Sequence, residues 1–508
     1  MSTEWASPGR IGIVGGGSAG YLTALAVKKR FPEREVTLVE SRAIPIIGVG
    51  EATTDSMPAF LHGQLGIDPV ALFTAVRPTF KLGIEFEWGT RSGFPFSFGD
   101  IDYISAMAHD GSSRTQSLAS LLMQSGRVPI LRSPDGELHS LLPHMKFGYH
   151  LDNAPFVAFL AGAAAQAGIL HVDARIDDVL RAEDGSIAGL RSAEGAVLAY
   201  DFYVDASGFR SLLVGQTLGV PFSSYAGSLF CDRALVARVP VRTGRMQAYT
   251  RATTMQAGWC WQIPTQDEDH VGYVHASSFL DEDAAAAEMK RLHPGMLTPR
   301  RVDFPSGRRT EMWRHNVAAV GNSYAFVEPL ESTALHMVAL QIDHLLRGLA
   351  AESHEASERE RTETNRSIGM QSDYLRWFLA LHYKFNQRLD SPFWRAARAD
   401  TDVSGVADEL ERYRMRGPAI ALGRTAPPAG HSRFFYNALS LFLLEQDVPH
   451  APQAPTRTRD DWTRHVDKLR INDAYAVSHD EALRILTERP ELLRALVDDP
   501  RSWCVSAR

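Results

Sequence analysis

The sequence predicts an α/β fold: a Rossmann-type nucleotide-binding half with an inserted β-sheet, followed by a helix-rich C-terminal part. Three observations predict it. A glycine-rich loop joins a short apolar strand to a helix within residues 11–31, a turn-punctuated series of strand patterns spans 171–208, and helical periodicity dominates the end of the chain. With 508 residues the chain is too long for one small domain. Two merged modules are expected: residues 1–340 with the nucleotide site and the inserted sheet, and residues 341–508, mainly helical.

The first element is "IGIVGGGSAGYLTALAVKKRF", residues 11–31. Ile11, Ile13 and Val14 read as a buried strand. Gly15, Gly17 and Gly20 then form G-x-G-x-x-G. Gly15 allows the tight turn, Gly17 lets the backbone approach a pyrophosphate, and Gly20 lets helix pack on strand. The helix that opens at Ser18 and Ala19 offers free N–H groups to phosphates. A second strand, "EVTLVE", ends at Glu40, where a carboxylate can bind a ribose 2′-OH and disfavours a 2′-phosphate.

Further along, "PTFKLGIEFEWGT" (78–90) alternates Phe80, Leu82, Ile84, Phe86 and Trp88 with Lys81, Gly83, Glu85 and Glu87. Period two predicts one strand with one apolar face, and Lys81 on the other. Taken alone, that face is solvent. Residues 171–208 read as strands joined by turns at Asp184–Gly185 and Glu194–Gly195, ending in Asp205-Ala-Ser-Gly208. A return strand is expected near 316, in "NVAAVGNSYAF". The charged run 350–366 reads as a solvated helix or loop, and the proline-rich stretch 449–461 as an exposed connector. The segment 479–503 reads as helix with leucines on one face, packed on the main body.

A net charge of −7 gives no case for nucleic acid or an anionic membrane as partner. The N-terminus lacks an apolar signal core, and no stretch approaches the ~18 apolar residues of a bilayer span. Cys231, Cys260 and Cys504 lie far apart, with neither metal spacing nor a disulfide framework. A cytoplasmic protein without a metal is expected.

A Rossmann half interrupted by a β-meander and closed by a return strand resembles the FAD-binding fold of flavin hydroxylases. Three further segments narrow the resemblance. "GWCWQIP" contains Trp259-x-Trp261-x-Ile263-Pro264, "VEPLESTALHMV" contains Glu331-Ser332-Thr333, and Lys81 stands in its strand. With "GVGEAT" (48–53), "YHLDNAPFVAFL" (149–160) and "LHYKFNQRLDSPFWR" (381–395), they resemble the flavin-dependent tryptophan halogenases over most of residues 10–400.

That resemblance implies FAD, used as FADH2, held by Gly15, Gly17, Ser18, Ala19, Gly20, Glu40, Gly48, Val49, Gly50, Glu51, Ala52, Asp205, Gly321, Asn322 and Phe326. It implies chloride or bromide bound by backbone N–H groups at Thr333 and Ala334, where many relatives carry glycine at the second position. Reduced FAD, oxygen and halide then yield hypohalous acid. Lys81 guides it, as ammonium or as chlorinated amine, and Glu331 takes the ring proton of an electron-rich aromatic substrate. Phe96, Phe98, Trp259 and Trp261 are implied pocket residues, although at the first two positions tryptophan-specific relatives commonly carry a histidine and a phenylalanine, and the histidine is absent here. Phe434, Phe435 and Tyr436 either line the pocket or pack. Since no second G-x-G-x-x-G is present, a separate flavin reductase is the expected partner; a homodimer is left open. The substrate is an indole, a phenol, a carrier-bound acyl group or a tryptophan in a peptide. Two other readings share the fold: a flavin monooxygenase that hydroxylates an aromatic, and an FAD-binding homologue without turnover.

Overall fold

Ile11 and Ile13 sit at the centre of a six-stranded sheet in a computed structural model. It describes residues 8–44, 50–99, 101–240, 245–418, 433–490 and 492–493, without the side chains of 143 and 433–437. Gly48, Val49, Phe434, Phe435 and Tyr436 therefore lie outside the described residues or side chains. The sheet order is Leu170–Asp173, Glu35–Glu40, Arg10–Val14, Phe202–Asp205, Val317–Ala319 and Trp313–Arg314. All neighbours are parallel except the last pair. The expected return strand is Val317–Ala319, which sets Ala319 beside Asp205. Strands buried on both faces read as apolar runs, which is why Ile11, Ile13 and Val14 do not alternate with polar residues. Helix Ser18–Arg30 packs between helices Asn153–Gln166 and Ala334–Leu349.

The expected meander forms a three-stranded sheet of Ile176–Arg181, Ile187–Ser192 and Val197–Leu198. Its turns use Gly185 and Gly195 at φ 87° and 86°. A second large sheet runs Arg300–Asp303, Arg233–Val239, Asp269–His275, Gly258–Pro264, Thr250–Met255, Gly83–Glu87, Phe94–Ser97. Only the pair of Thr250–Met255 with Gly83–Glu87 is parallel.

The single strand expected over 78–90 is two strands in two sheets. Thr79–Lys81 is the edge of a small sheet with Gly148–Leu151 and Glu51–Ala52, whereas Gly83–Glu87 belongs to the seven-stranded sheet. The crossing occurs at Leu82, whose N–H goes to Ala248 O and whose carbonyl accepts from Phe98 N–H. Gly83 permits it: a Cβ there would lie 2.2 Å from Phe96 O. Both faces of the segment are consequently covered, and Lys81 is 0% exposed rather than in solvent.

The charged run opens the 32-residue helix His354–Phe385, capped by Ser353, whose side chain accepts from Ala356 N–H. Its second half buries Leu375, Phe378, Leu379, His382 and Tyr383. After the connector, strand Ala476–Ser478 pairs antiparallel with Arg127–Arg132, and helix His479–Glu488 follows. Among the described residues no helix is long and apolar enough to cross a membrane.

Candidate active site

A cavity of about 450 Å³ begins at the glycine loop and ends at Trp261, Ser332 and Ala334. Gly15 adopts φ 123°, a region that favours glycine, and a Cβ there would strike Ala206 O at 2.2 Å. Gly20 faces away from the cavity and lets the helix close onto Gly15 O. Gly17 is different: a Cβ would meet nothing within 4 Å, so backbone is presented to open space. Glu40 lines the cavity and accepts hydrogen bonds from Tyr21 OH (2.8 Å) and His171 Nε2 (2.7 Å). The sequence reading passed over Gly16. A Cβ there would fall 1.4 Å from Glu40 Oε2, so this glycine makes room for the carboxylate.

Of the residues expected to hold FAD, Gly15, Gly17, Ser18, Ala19, Glu40, Gly50, Glu51, Ala52, Gly321, Asn322 and Phe326 border this one cavity. Asp205 does not. Its carboxylate accepts from the N–H groups of Leu213 (2.7 Å) and Val214 (2.9 Å) and from Ser207, thereby holding the turn Ser207–Gly208 that does line the cavity. A dinucleotide fits the open backbone at Gly17, and the cavity wall at Trp261 keeps a buried indole N–H without a protein partner.

Trp261 is the only one of the four expected pocket aromatics to border this cavity. It lies flat over Gly272, where a Cβ would sit 2.0 Å from the ring. Trp259 points elsewhere, donating its indole N–H to Glu328 Oε2 at 3.3 Å, and Tyr383 OH donates to the same oxygen at 2.7 Å. Glu328 is fully buried, and burial pushes its carboxyl up to about 7. Phe96 packs against Phe442, and Phe98 lies beneath Lys81, with Nζ 5.4 Å from the ring centroid.

Lys81 lies behind the end wall of the cavity. Its Nζ donates to Ser332 Oγ at 2.6 Å, and Ser332 is a lining residue. Burial lowers the ammonium from its ordinary range to about 7, against the upward pull of Glu331 and Asp55. Ser332 holds φ 57°, a left-handed conformation that costs a non-glycine residue about 1–2 kcal/mol. From this turn Ser332 meets Lys81 and Glu331 meets His382. Neither Ser332 nor Thr333 caps the following helix through its side chain. The first N–H groups of helix Ala334–Leu349 thus lack intrahelical acceptors. Thr333 and Ala334 border a second cavity of about 30 Å³ beside Asn322 and Phe326.

Glu331 is 2% exposed, and its Oε1 lies 2.8 Å from His382 Nε2. Burial raises its carboxyl, opposed by His382 and Lys81. His382 Nδ1 is 2.9 Å from Phe378 O, which can only accept, so Nδ1 carries hydrogen. The contact at Nε2 then holds one further proton, shared with Glu331. Glu331 Oε2 has no hydrogen-bond partner. Sequence reasoning missed His382, although it stands in the quoted "LHYKF"; its helical position gave no sign of the partner. It also gave Ser332 no role beyond its motif, and did not use Glu328.

The tryptophan halogenase family model matches residues 10–447. The chain is 30% identical over 461 residues to the tryptophan 7-halogenase RebH of Lentzea aerocolonigenes, covering 84% of this chain and 85% of that protein. It is 31% identical over 447 residues to the 7-chloro-L-tryptophan 6-halogenase KtzR of Kutzneria sp. (strain 744), covering 80% and 85%. Among solved structures, MibH, a lathipeptide tryptophan 5-halogenase, matches with TM-score 0.90 and 41% identity over 99% of this chain and 98% of that one. Xcc4156, a flavin-dependent halogenase from Xanthomonas campestris, matches with TM-score 0.82 and 30% identity over 94% and 98%. With one family covering most of its length and sharing its α/β fold, this chain belongs to the tryptophan halogenases and is a flavin-dependent halogenase that uses FAD and halide.

Proposed function

We propose that the enzyme halogenates the indole of a tryptophan residue within a peptide, with Lys81 and Glu331 as its catalytic residues. The observation that carries the roles is the 2.6 Å contact from Lys81 Nζ to Ser332 Oγ. Ser332 lines the cavity and holds the buried lysine directly, which puts the amine one side chain away from an oxidised halogen species formed there. Likeness to MibH over nearly the whole chain supports the peptide substrate.

When bound, reduced FAD supplies with oxygen the oxidising equivalents that turn halide into hypohalous acid. The glycine loop, Glu40 and the segment Gly321–Asn322 would hold the cofactor, with Asp205 buttressing the turn beside it. The N–H groups of Thr333 and Ala334 would receive the halide. As free amine Lys81 takes halogen from hypohalous acid, the oxygen leaving as water; as ammonium it donates a hydrogen bond to the oxygen of that acid, and with a pKa near 7 it can do either close to neutrality. The ring carbon bonds to halogen as the nitrogen–halogen or oxygen–halogen bond breaks, its electron pair staying on nitrogen or oxygen, and Glu331 takes the displaced ring proton through the unpartnered Oε2. A separate reductase supplies FADH2.

The test supplies an external flavin reductase, FAD, NADH and bromide. It offers tryptophan-containing peptides, free tryptophan, indoles and phenols side by side. Bromination of a peptide at its tryptophan, seen as the bromine isotope doublet by mass spectrometry, is the expected result. Preference for free tryptophan would reject the substrate assignment. Hydroxylated product independent of halide would reject halogenation of these substrates.

A further inference from the structure

The strand that carries Lys81 is an edge strand, and its backbone is tied down by helix His479–Glu488. Phe80 and Lys81 pair with Tyr149 and Gly148 on one side only. On the open side Phe80 N–H donates to His479 Nε2 at 3.0 Å. The other ring nitrogen, Nδ1, lies 3.2 Å from Gln247 O. An amide can only donate and a carbonyl can only accept, so both contacts require one neutral tautomer with hydrogen on Nδ1. His479 is 0% exposed, and its ring lies against Phe80 with centroids 6.0 Å apart.

The two residues that His479 joins flank the same crossing point. Gln247 precedes Ala248, whose carbonyl receives Leu82 N–H at 2.7 Å. The next helical residue, Asp480, accepts from Met246 N–H at 3.2 Å. The helix start therefore holds segment 246–248, and both it and that segment hold the backbone on either side of Lys81. His479 also stands beyond residue 447, where the family match ends.

We propose that His479 is a positioning residue for Lys81, fixing the strand from which Nζ reaches Ser332. This rests on the catalytic reading of Lys81. Without an acceptor at Nε2, the Phe80 amide is buried and unpaired, and the edge strand shifts to satisfy it. The ammonium then loses its aim, while the FAD cavity, which His479 does not border, is left as it was.

The experiment uses the full chain loaded with FAD, an external reductase and bromide. A tryptophan-containing peptide and free indole serve as acceptors, and monochlorodimedone as the trap for free hypobromous acid. His479→Leu is expected to lower bromination of the acceptors about tenfold or more, with trap bromination within about twofold of the wild type. His479→Gln places an amide oxygen near the position of Nε2 and should restore most of the loss; His479→Asn is too short and should not. Amide exchange in the peptide spanning Phe80–Leu82 should quicken about tenfold in the Leu and Asn variants and not in Gln. Unchanged exchange, Gln no better than Asn, or equal losses of trap and acceptor bromination would overturn the assignment. If His479→Leu fails to fold, Gln against Asn decides. Lys81→Ala separates the two readings. An active Lys81→Ala enzyme overturns the role of Lys81, and an inactive one beside a normal His479→Leu overturns only that of His479.

Discussion

Lys81 and Ser332, 251 residues apart in the chain, meet at 2.6 Å where the cavity that begins at the glycine loop ends. The contact places a wholly buried lysine one hydroxyl away from the space expected to hold the cofactor.

Lys81→Ala should lower halogenation of any acceptor by about 100-fold or more, while FAD binding persists, because the cavity walls do not include Lys81. Lys81→Arg should not rescue it, since a guanidinium has no amine nucleophile. Product mass spectrometry and flavin titration check both; normal turnover in Lys81→Ala would refute the role, and normal turnover in Lys81→Arg would refute its nucleophilic form.

Ser332→Ala should weaken product formation about tenfold, the scale of one hydrogen bond to a charged or titrating group. Ser332→Gly loses the same bond but relieves the left-handed backbone at φ 57°. It should therefore be equally slow and more thermostable than the alanine variant. Melting temperatures beside rates test this, and an alanine variant as fast as wild type would remove Ser332 from the path.

Two buried groups should give opposite pH dependences of stability. The Lys81 pKa falls from 10.5 to about 7 on burial, so between those values the unfolded chain binds more protons and stability rises with pH. Lys81→Met should thus be more stable than wild type at pH 6–7, with the advantage fading towards pH 10. Glu328 is raised from 4.5 to about 7, so its contribution is full below 4.5 and is lost as pH rises through 7. Glu328→Gln should match wild type near pH 4.5 and exceed it at pH 8. Thermal denaturation across pH reads both, and parallel profiles for the two variants would contradict the assignment.

Glu331→Gln should abolish most acceptor bromination while hypobromous acid still forms, because the amide cannot take the ring proton. His382→Phe removes the partner at 2.8 Å and should lower kcat without a matching rise in KM. It should also shift the pH at which the rate falls, since the pair no longer shares a proton. An unaltered pH profile would leave His382 as packing alone.

Much of the nucleotide half could be read from the sequence because its causes are local. Gly15 is glycine for a φ of 123° a few residues from the strand it ends, and the apolar run Ile11–Val14 records burial on both faces. Period two predicted the strand character of residues 78–90 but not the crossing at Leu82. Alternation is kept when a chain passes between sheets, and the interruption is made by Ala248 and Phe98. For that reason the pattern mistook a lysine buried on every side for an outward one. Of the implied pocket aromatics, Trp261 borders the cavity because Gly272 stands beneath it, a pairing set by strand register.

By itself the sequence determined the α/β class, the glycine loop with its carboxylate at Glu40, and the family motifs around Lys81, Trp259 and Glu331. The first two follow from backbone stereochemistry and periodicity along one chain, and the motifs from resemblance to the family. Only the tertiary structure decided the partners: Ser332 for Lys81, His382 for Glu331, Glu328 for Trp259 and His479 for Phe80. Those pairs lie 51 to 399 residues apart. Their protonation and direction follow from which buried donors and acceptors packing leaves within reach of one another, and no local pattern records that.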